Sequence, residues 1–178
     1  DKRENLDNTQ PVRRVKRGWM NLIVTEIIDE TSDTKTFVLE DNEEKGRPYD
    51  FYAGQYLTFR FDGICKKPLV RSYTMSGSPC QKDQTIFTVK RVEKGVVSNW
   101  LCDEVKIGTV LRARGPIGRF CFDPRLDSGK DCYMVGAGSG VTPFVSILRE
   151  YAGSIGAQNA PGSLHLLVAY RSLNDLIS

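Results

Sequence analysis

The sequence has a single histidine, His165, and five cysteines with no CxxC pair among them. So few metal ligands argue against a zinc or other transition-metal site, and the cysteine spacing of a plant-type iron–sulfur cluster is absent. The cysteines, Cys65, Cys80, Cys102, Cys121 and Cys132, are odd in number and lie singly in apolar or mixed stretches. They read as reduced, mostly structural thiols of an intracellular, cytoplasmic protein. No apolar run reaches the ~18 residues of a membrane span. A signal-peptide pattern and internal repeats are also missing. The net charge is only +3, too small to imply nucleic-acid binding by itself.

The 178 residues are 40% hydrophobic and 26% charged, a balance that supports a packed core and argues against general disorder. Residues 1–18 form a polar leader ending in Arg13-Arg14-Val15-Lys16-Arg17. They read either as a solvated leader or as a basic patch for an acidic partner or nucleic acid. From Trp19 onward the chain is strand-like. Asn21–Ile28, Thr34–Glu40, Tyr56–Phe61, Leu69–Met75, Thr85–Val92 and Thr109–Arg114 are rich in β-branched and aromatic residues, with Gly, Pro and Asp between them. Short strands so punctuated predict an antiparallel barrel or sandwich over 19–126. One helix, Val96–Val105, interrupts the series, with Val97, Trp100, Leu101 and Val105 near one face.

The pattern changes over 127–178. Cys132–Val135 reads as a short buried strand, followed by a glycine cluster. A helix is expected from about Val141 to Tyr151, with Pro143 in its first turn. Leu164–Tyr170 is an almost continuous apolar run, as in a parallel sheet. Together these make one βαβ unit.

Four short motifs could carry chemistry. Arg71-Ser72-Tyr73-Thr74 ends a strand and offers a cation, hydroxyls and a flat ring within four residues. Alternation would turn Tyr73 away from Ser72 and Thr74. The same string also suits an ordinary exposed strand. Gly95-Val96-Val97-Ser98 opens the helix and suits an anion, through free N–H groups and a hydroxyl, or a plain turn capped by Ser98. Gly115-Pro116-Ile117-Gly118 reads as a turn leaving the last barrel strand. Gly136-Ala137-Gly138-Ser139-Gly140-Val141-Thr142-Pro143 lies between strand and helix, where glycines let backbone approach a pyrophosphate. It fails the dinucleotide fingerprint GxGxxG, because Val141 holds the sixth position. The acid expected after the second strand is replaced by Arg171-Ser172.

The order of these motifs, with Ala53-Gly54-Gln55-Tyr56 and the Leu167–Leu176 stretch, resembles the ferredoxin–NADP reductase superfamily over residues 20–178. The resemblance implies a β + α/β protein. A six-stranded antiparallel flavin-binding barrel would be followed by a partial parallel α/β nicotinamide-binding domain. Carried over by position, Arg71 would bind flavin phosphate, Tyr73 would stack on the isoalloxazine and Thr74 would lie near N5, with Ser72 beside them. Val89, Lys90 and Arg91 would border the flavin through backbone atoms. Gly95, Val96, Val97 and Ser98 would hold its pyrophosphate. Gly136, Gly138, Gly140, Thr142 and Pro143 would face the nicotinamide cofactor, with Thr142 where the two rings meet. Arg171 and Ser172 would meet the adenosine ribose or its phosphate.

The implied cofactors are FAD, in preference to FMN, and NAD(P)H, with no metal. The implied activity passes electrons from NAD(P)H through FAD singly to an iron–sulfur or haem acceptor, with Tyr73, Thr74 and Thr142 at the reacting centre. Arg171 favours a 2′-phosphate electrostatically, but relatives that use NADH carry similar pairs, so both cofactors stay open. The acceptor could be a ferredoxin-like module outside these residues, or the chain could be an electron-transfer subunit of a larger complex. A reading of another class is a non-enzymatic β-barrel module that binds nucleic acid through the basic leader. A complete α/β half needs about three more βα units, at roughly 30 residues per βαβ motif, so these residues read as an incomplete fragment.

Overall fold

A computed structural model of the chain describes residues 14, 16–44, 46–123, 127, 129–154 and 162–172. Most of the leader and the end of the Leu167–Leu176 stretch therefore lie outside the described residues. Among the described residues the elements follow in the order β1 (Met20–Thr31), β2 (Thr34–Asp41), β3 (Tyr56–Phe61), β4 (Leu69–Thr74), β5 (Thr85–Lys90), α1 (Val96–Asp103), β6 (Val110–Ile117), β7 (Cys132–Ala137), α2 (Thr142–Ser154) and β8 (Leu164–Ala169). A 3₁₀ turn, Gly138–Val141, leads into α2.

The first six strands form one antiparallel sheet in the order β4-β3-β6-β1-β2-β5. A bridge between Met75 and Phe87 brings its two edges together and closes the sheet into a barrel. Period-two alternation decides what fills it. Leu22, Phe37, Leu39, Leu57, Phe59, Phe87 and Leu111 are all buried in one core. Phe87 lies at its centre, with ring centroids 5.2 Å from Phe37 and 4.7 Å from Phe59. Each such ring contributes about 1.5–3 kcal/mol by leaving water.

Helix α1 closes one end of the barrel through Val97 and Leu101, and Trp100 packs edge-on against Phe61 at 5.8 Å. It is shorter than its apolar spacing predicts. The helix ends at Asp103, and Val105 is buried beyond it. The chain must turn at Gly108, with φ +91, so that the Gly108 N–H reaches the Val24 carbonyl and the Thr109 carbonyl accepts from the Val24 N–H.

The segment Gly115–Gly118 also departs from expectation. Instead of leaving the barrel there, β6 runs on to Ile117. Tyr56 pairs with Ile117 and Thr58 with Arg114, so Leu57 faces two residues and the strand bulges.

Strands β7 and β8 pair in parallel from Cys132↔Leu164 to Ala137↔Ala169. Helix α2 covers one face, where Met134 and Ile147 pack with Ala53 and Phe122 of the barrel side. The other face corrects the reading of β7 as a buried strand: Tyr133, Val135 and Leu167 are about 70% exposed (74%, 72% and 69%). Apolar composition predicts two covered faces, but only one helical layer is described. The cysteines also need correction. All five are free, but only Cys102 is buried, and Cys65 and Cys80 are exposed.

Hydrogen bonds to two backbone carbonyls fasten α2 to the barrel. The buried Ser146 hydroxyl donates to the Gly77 carbonyl (2.7 Å), and Arg149 Nη1 donates to the Ser76 carbonyl (2.8 Å). A third junction needs a glycine. Gly54 has φ +99, and a Cβ there would stand 2.7 Å from the Phe120 carbonyl oxygen. Gly54→Ala is therefore expected to lower stability by about 1–2 kcal/mol from the left-handed backbone alone, read as a lower denaturant midpoint.

Candidate functional site

A cavity of about 600 Å³ opens between the barrel and the α/β unit. Four segments of the sequence line it. Strand β4 contributes Arg71, Ser72, Tyr73 and Thr74. The start of α1 contributes Gly95, Val96, Val97 and Ser98, and the α/β unit contributes Ser139, Gly140, Thr142 and Pro143. Thr88, Lys90 and Val92 complete the wall.

Antiparallel pairing presents β4 to the cavity. Tyr73 lies opposite Leu57, and Ser72 lies opposite Thr58, whose hydroxyl it meets at 3.1 Å. The Tyr73 ring is half-buried against the core, 6.0 Å from Phe59 and 5.4 Å from Phe87. Burial pushes its phenol up to about 12, so it stays neutral at physiological pH. The ring is thus a fixed, uncharged surface. Arg71 is exposed. Its Nη1 donates to the Val70 carbonyl at 2.7 Å, and among the described residues no carboxylate pairs with it. Lys90 instead bonds Asp33 at 2.9 Å, and that hydrogen bond holds the Asp33 carboxyl below its ordinary value.

The start of α1 is set by Gly95. A Cβ there would come within 2.7 Å of Ser98 Oγ and 3.0 Å of the Val92 carbonyl oxygen. Gly95 is itself the N-cap and supplies no side-chain hydrogen bond. This corrects the idea of Ser98 as a cap: its hydroxyl accepts from the Val92 N–H at 3.1 Å and ties down the turn before the helix. The first-turn N–H groups have no acceptor within the helix, and no acidic side chain occupies that turn. The positive end of the helix dipole therefore stands uncompensated beside the cavity. On the opposite wall, the buried Thr142 hydroxyl donates to the Ser139 carbonyl at 2.7 Å and holds the 3₁₀ turn in place.

Not every residue singled out in the sequence lines this cavity. Val89 is buried in the barrel core. The Arg91 side chain turns to Asn99 and Asp103 at 2.6–2.8 Å. Gly136 is packed where a Cβ would meet the Phe144 ring at 3.1 Å, and Gly138 takes a positive φ of +50 in the turn. Arg171 and Ser172 are exposed beyond the end of β8. Conversely, Thr88 and Val92 line the cavity and were not singled out, and Ser139 lines it although only its motif neighbours were given cofactor roles. The alternation of β5 carried the signal for the first two. Core-facing Phe87 and Val89 place Thr88, Lys90 and Val92 on the other side.

Among the described residues no group of three or more His, Cys, Asp or Glu could hold a metal ion. Likewise, none of the described helices is long and apolar enough to cross a membrane. Two basic residues of the leader are engaged within the chain: Arg14 with Asp50 at 3.5 Å, and Lys16 with Asp41 at 2.9 Å and Glu43 at 3.5 Å.

Residues 21–122 match the family model of the oxidoreductase FAD-binding domain. Among curated proteins, the chain is 37% identical over 130 residues to the ferredoxin reductase component of 3-ketosteroid-9-alpha-monooxygenase from Rhodococcus rhodochrous, covering 72% of this chain and 36% of that protein. It is 31% identical over 175 residues to the glycine betaine monooxygenase reductase subunit of Chromohalobacter salexigens, covering 98% and 45%. The chain thus spans less than half the length of these two relatives. The FAD/NAD-binding domain of a nitric oxide dioxygenase from Vibrio cholerae O1 biovar El Tor shares the fold, with a TM-score of 0.78 at 22% identity over 89% of this chain and 65% of that one.

Proposed function

Because the chain belongs to the oxidoreductase FAD-binding domain family, we propose that its 600 Å³ cavity is the FAD site of an NAD(P)H-dependent reductase that serves a one-electron acceptor. The observation that carries this reading is the convergence of Arg71–Thr74, Gly95–Ser98 and Ser139–Pro143 on one cavity. The residues present fit the cofactor. A neutral aromatic ring, backed by the core, suits a flat heterocycle. An arginine without a carboxylate partner and a helix start without an acid suit a diphosphate. The volume lies within the ordinary range of about 300–1,000 Å³ for ligand sites.

Flavin in this cavity would supply two-electron uptake and single-electron release. The chain's own work is to bind and to orient. Arg71 and the α1 N–H groups would fix the diphosphate, Tyr73 the ring system, and Ser72 and Thr74 its polar edge. Lys90 would border the site with Thr88 and Val92, and Val89 and Arg91 would serve only through their backbone. Gly140, Thr142 and Pro143 would form the face on which the nicotinamide ring arrives, while Gly136 and Gly138 shape the turn beneath. Arg171 and Ser172 would meet the adenosine end of NAD(P)H. On this reading the flavin-binding barrel spans 19–126 and the nicotinamide-binding part 127–178. The acceptor would be an iron–sulfur or haem protein, consistent with relatives named as reductase components of monooxygenases. The basic leader gives little support to nucleic-acid binding, since Arg14 and Lys16 are paired within the chain.

Fluorescence-quench titration of the purified chain with FAD tests the assignment. Arg71→Ala is expected to weaken FAD about tenfold. A charge-assisted hydrogen bond contributes about 1.5–3 kcal/mol, and the exposure of Arg71 places it at the lower end. Arg91→Ala is expected to leave the affinity unchanged, because its guanidinium serves Asp103 at the surface. Equal losses in the two variants would show that the phosphate lies elsewhere.

A further inference from the structure

Two walls of the cavity belong to different parts of the fold, and a pair of side chains on α2 ties one to the other. Thr142, Ser146 and Arg149 follow one another at i, i+4 and i+7 along α2, so they share a face of the helix. Thr142 lines the cavity. Ser146 is 0% exposed, and its hydroxyl donates to the Gly77 carbonyl at 2.7 Å. Arg149 Nη1 donates to the Ser76 carbonyl at 2.8 Å. At a rise of about 1.5 Å per residue, the two anchors stand about 6 and 10 Å along the helix from Thr142.

The two acceptors are themselves fixed to the opposite wall. Ser76 and Gly77 lie just past the end of β4, which carries Arg71–Thr74. The Met75 N–H donates to the Gln55 carbonyl at 3.1 Å, and the Ser76 N–H to the Ile86 carbonyl at 2.8 Å. Met75 also forms the bridge to Phe87 that closes the barrel. The Ser76 hydroxyl lies 3.2 Å from that of Thr88, another residue of the cavity wall. Apolar contacts flank the pair: Ile147 packs with Ala53 and Phe122, and the Phe144 ring meets Phe120 edge-on at 6.0 Å. Apolar packing has no direction, so it holds α2 against the barrel without choosing its position along the helix axis. The Cys80 thiol, 3.4 Å from Glu150 Oε2, is a weak donor and adds little to that choice. The two bonds to successive carbonyls do choose, because a slide of about 1 Å takes such a bond beyond its working length.

We infer that Ser146 and Arg149 are positioning residues for hydride transfer: they hold the Thr142 wall in one place against β4 and so set how the nicotinamide ring meets the flavin. The inference rests on the reading of the cavity given above. The step they serve breaks the C4–H bond of the dihydronicotinamide and makes an N–H bond on the flavin. The hydride carries both electrons across, which leaves the nicotinamide cationic and the flavin reduced. Neither Ser146 nor Arg149 lines the cavity, so both act through α2, whose first turn carries Thr142 and Pro143. Transfer needs the reacting atoms about 3–3.5 Å apart, and a displacement of about 1 Å is enough to be felt in the rate.

Two measurements separate this proposal from the reading it rests on. The first needs no flavin. In the purified chain without FAD, Ser146→Ala and Arg149→Met are expected to speed amide hydrogen exchange in α2, while β2 and β5 keep their wild-type rates. The second uses the FAD-loaded full-length protein in stopped flow. Each variant is expected to slow reduction by saturating NADH or NADPH ~10-fold, and the double variant ~100-fold, at wild-type FAD affinity. The NAD(P)H concentration at half the limiting rate should not change, because the nicotinamide cofactor moves with the unit that carries it. Arg149→Lys keeps a donor of similar reach and should restore most of the rate. Reoxidation of the photoreduced protein by ferricyanide does not cross this junction and should stay at the wild-type rate. Arg149→Met changes only an exposed side chain and keeps the test available if Ser146→Ala folds poorly. Unchanged exchange in α2, wild-type reduction rates in the variants, or equal losses in reduction and reoxidation overturn the positioning role. A protein that takes up no FAD overturns the cavity reading and this role with it.

Discussion

Phe87→Ala is expected to lower the stability of the chain by about 3–5 kcal/mol, the cost of a large cavity at a site with no room to collapse. The Phe87 side chain is fully buried. Its ring meets Phe37, Phe59 and Tyr73 at 5.2, 4.7 and 5.4 Å, so three aromatic neighbours lose a face at once. Ile107→Ala is the control. Ile107 is 68% exposed, and its change should stay within about 0.5 kcal/mol. Denaturant melts of the two variants read both numbers. A second effect is expected in whatever Phe87→Ala remains folded. Tyr73 rests on Phe87, so the platform proposed for the flavin ring should loosen and FAD affinity should fall as well. A destabilised variant with unchanged FAD affinity would show that Phe59 alone positions Tyr73.

Thr142→Trp is expected to act on reduction rather than on FAD binding. In the full-length protein, reduction of the flavin by NADH or NADPH should slow about 100-fold, the scale on which small misplacements of reacting groups are felt. Thr142 stands on the wall opposite the β4 motif, at the start of α2 and beyond the carboxyl end of β7. That edge of a parallel sheet is where open α/β sheets bind their ligands. A bulky ring there would occupy the approach of the nicotinamide. It would also remove the hydroxyl that holds the Ser139 carbonyl at 2.7 Å and loosen the 3₁₀ turn. Stopped-flow bleaching of the flavin, with FAD titration in parallel, separates the two effects. Fast reduction would place the nicotinamide site away from Thr142, and lost FAD affinity would show that the flavin itself reaches this wall of the cavity.

The barrel strands were legible because their alternation is strong. Tyr56–Phe61 is a strand with the bounds its pattern predicts, and β1, β2, β4 and β5 differ from expectation only at their ends. The limits of α1 were not legible. Val105 continues the apolar spacing and is buried, but the helix ends before it, at Asp103. In and just after β5, Val89 and Arg91 belong to one motif, although alternation sends Val89 into the core. Thr88 went unnoticed because a threonine in a strand resembles any other. Its hydroxyl partners, Thr36 and Ser76, are 52 and 12 residues away.

By itself, the sequence determined the strand pattern, the change from alternation to a βαβ unit, and the order of the glycine and arginine motifs. These are local properties, written in period-two and period-3.6 spacing and in turn residues. Only the tertiary structure decided that Arg71–Thr74, Gly95–Ser98 and Ser139–Pro143 share one cavity, because sheet closure and the docking of α2 through Ser146 and Arg149 set those distances. It also decided which face of β7 α2 covers among the described residues. Apolar content records what a strand could bury, whereas burial itself depends on which layers pack against it.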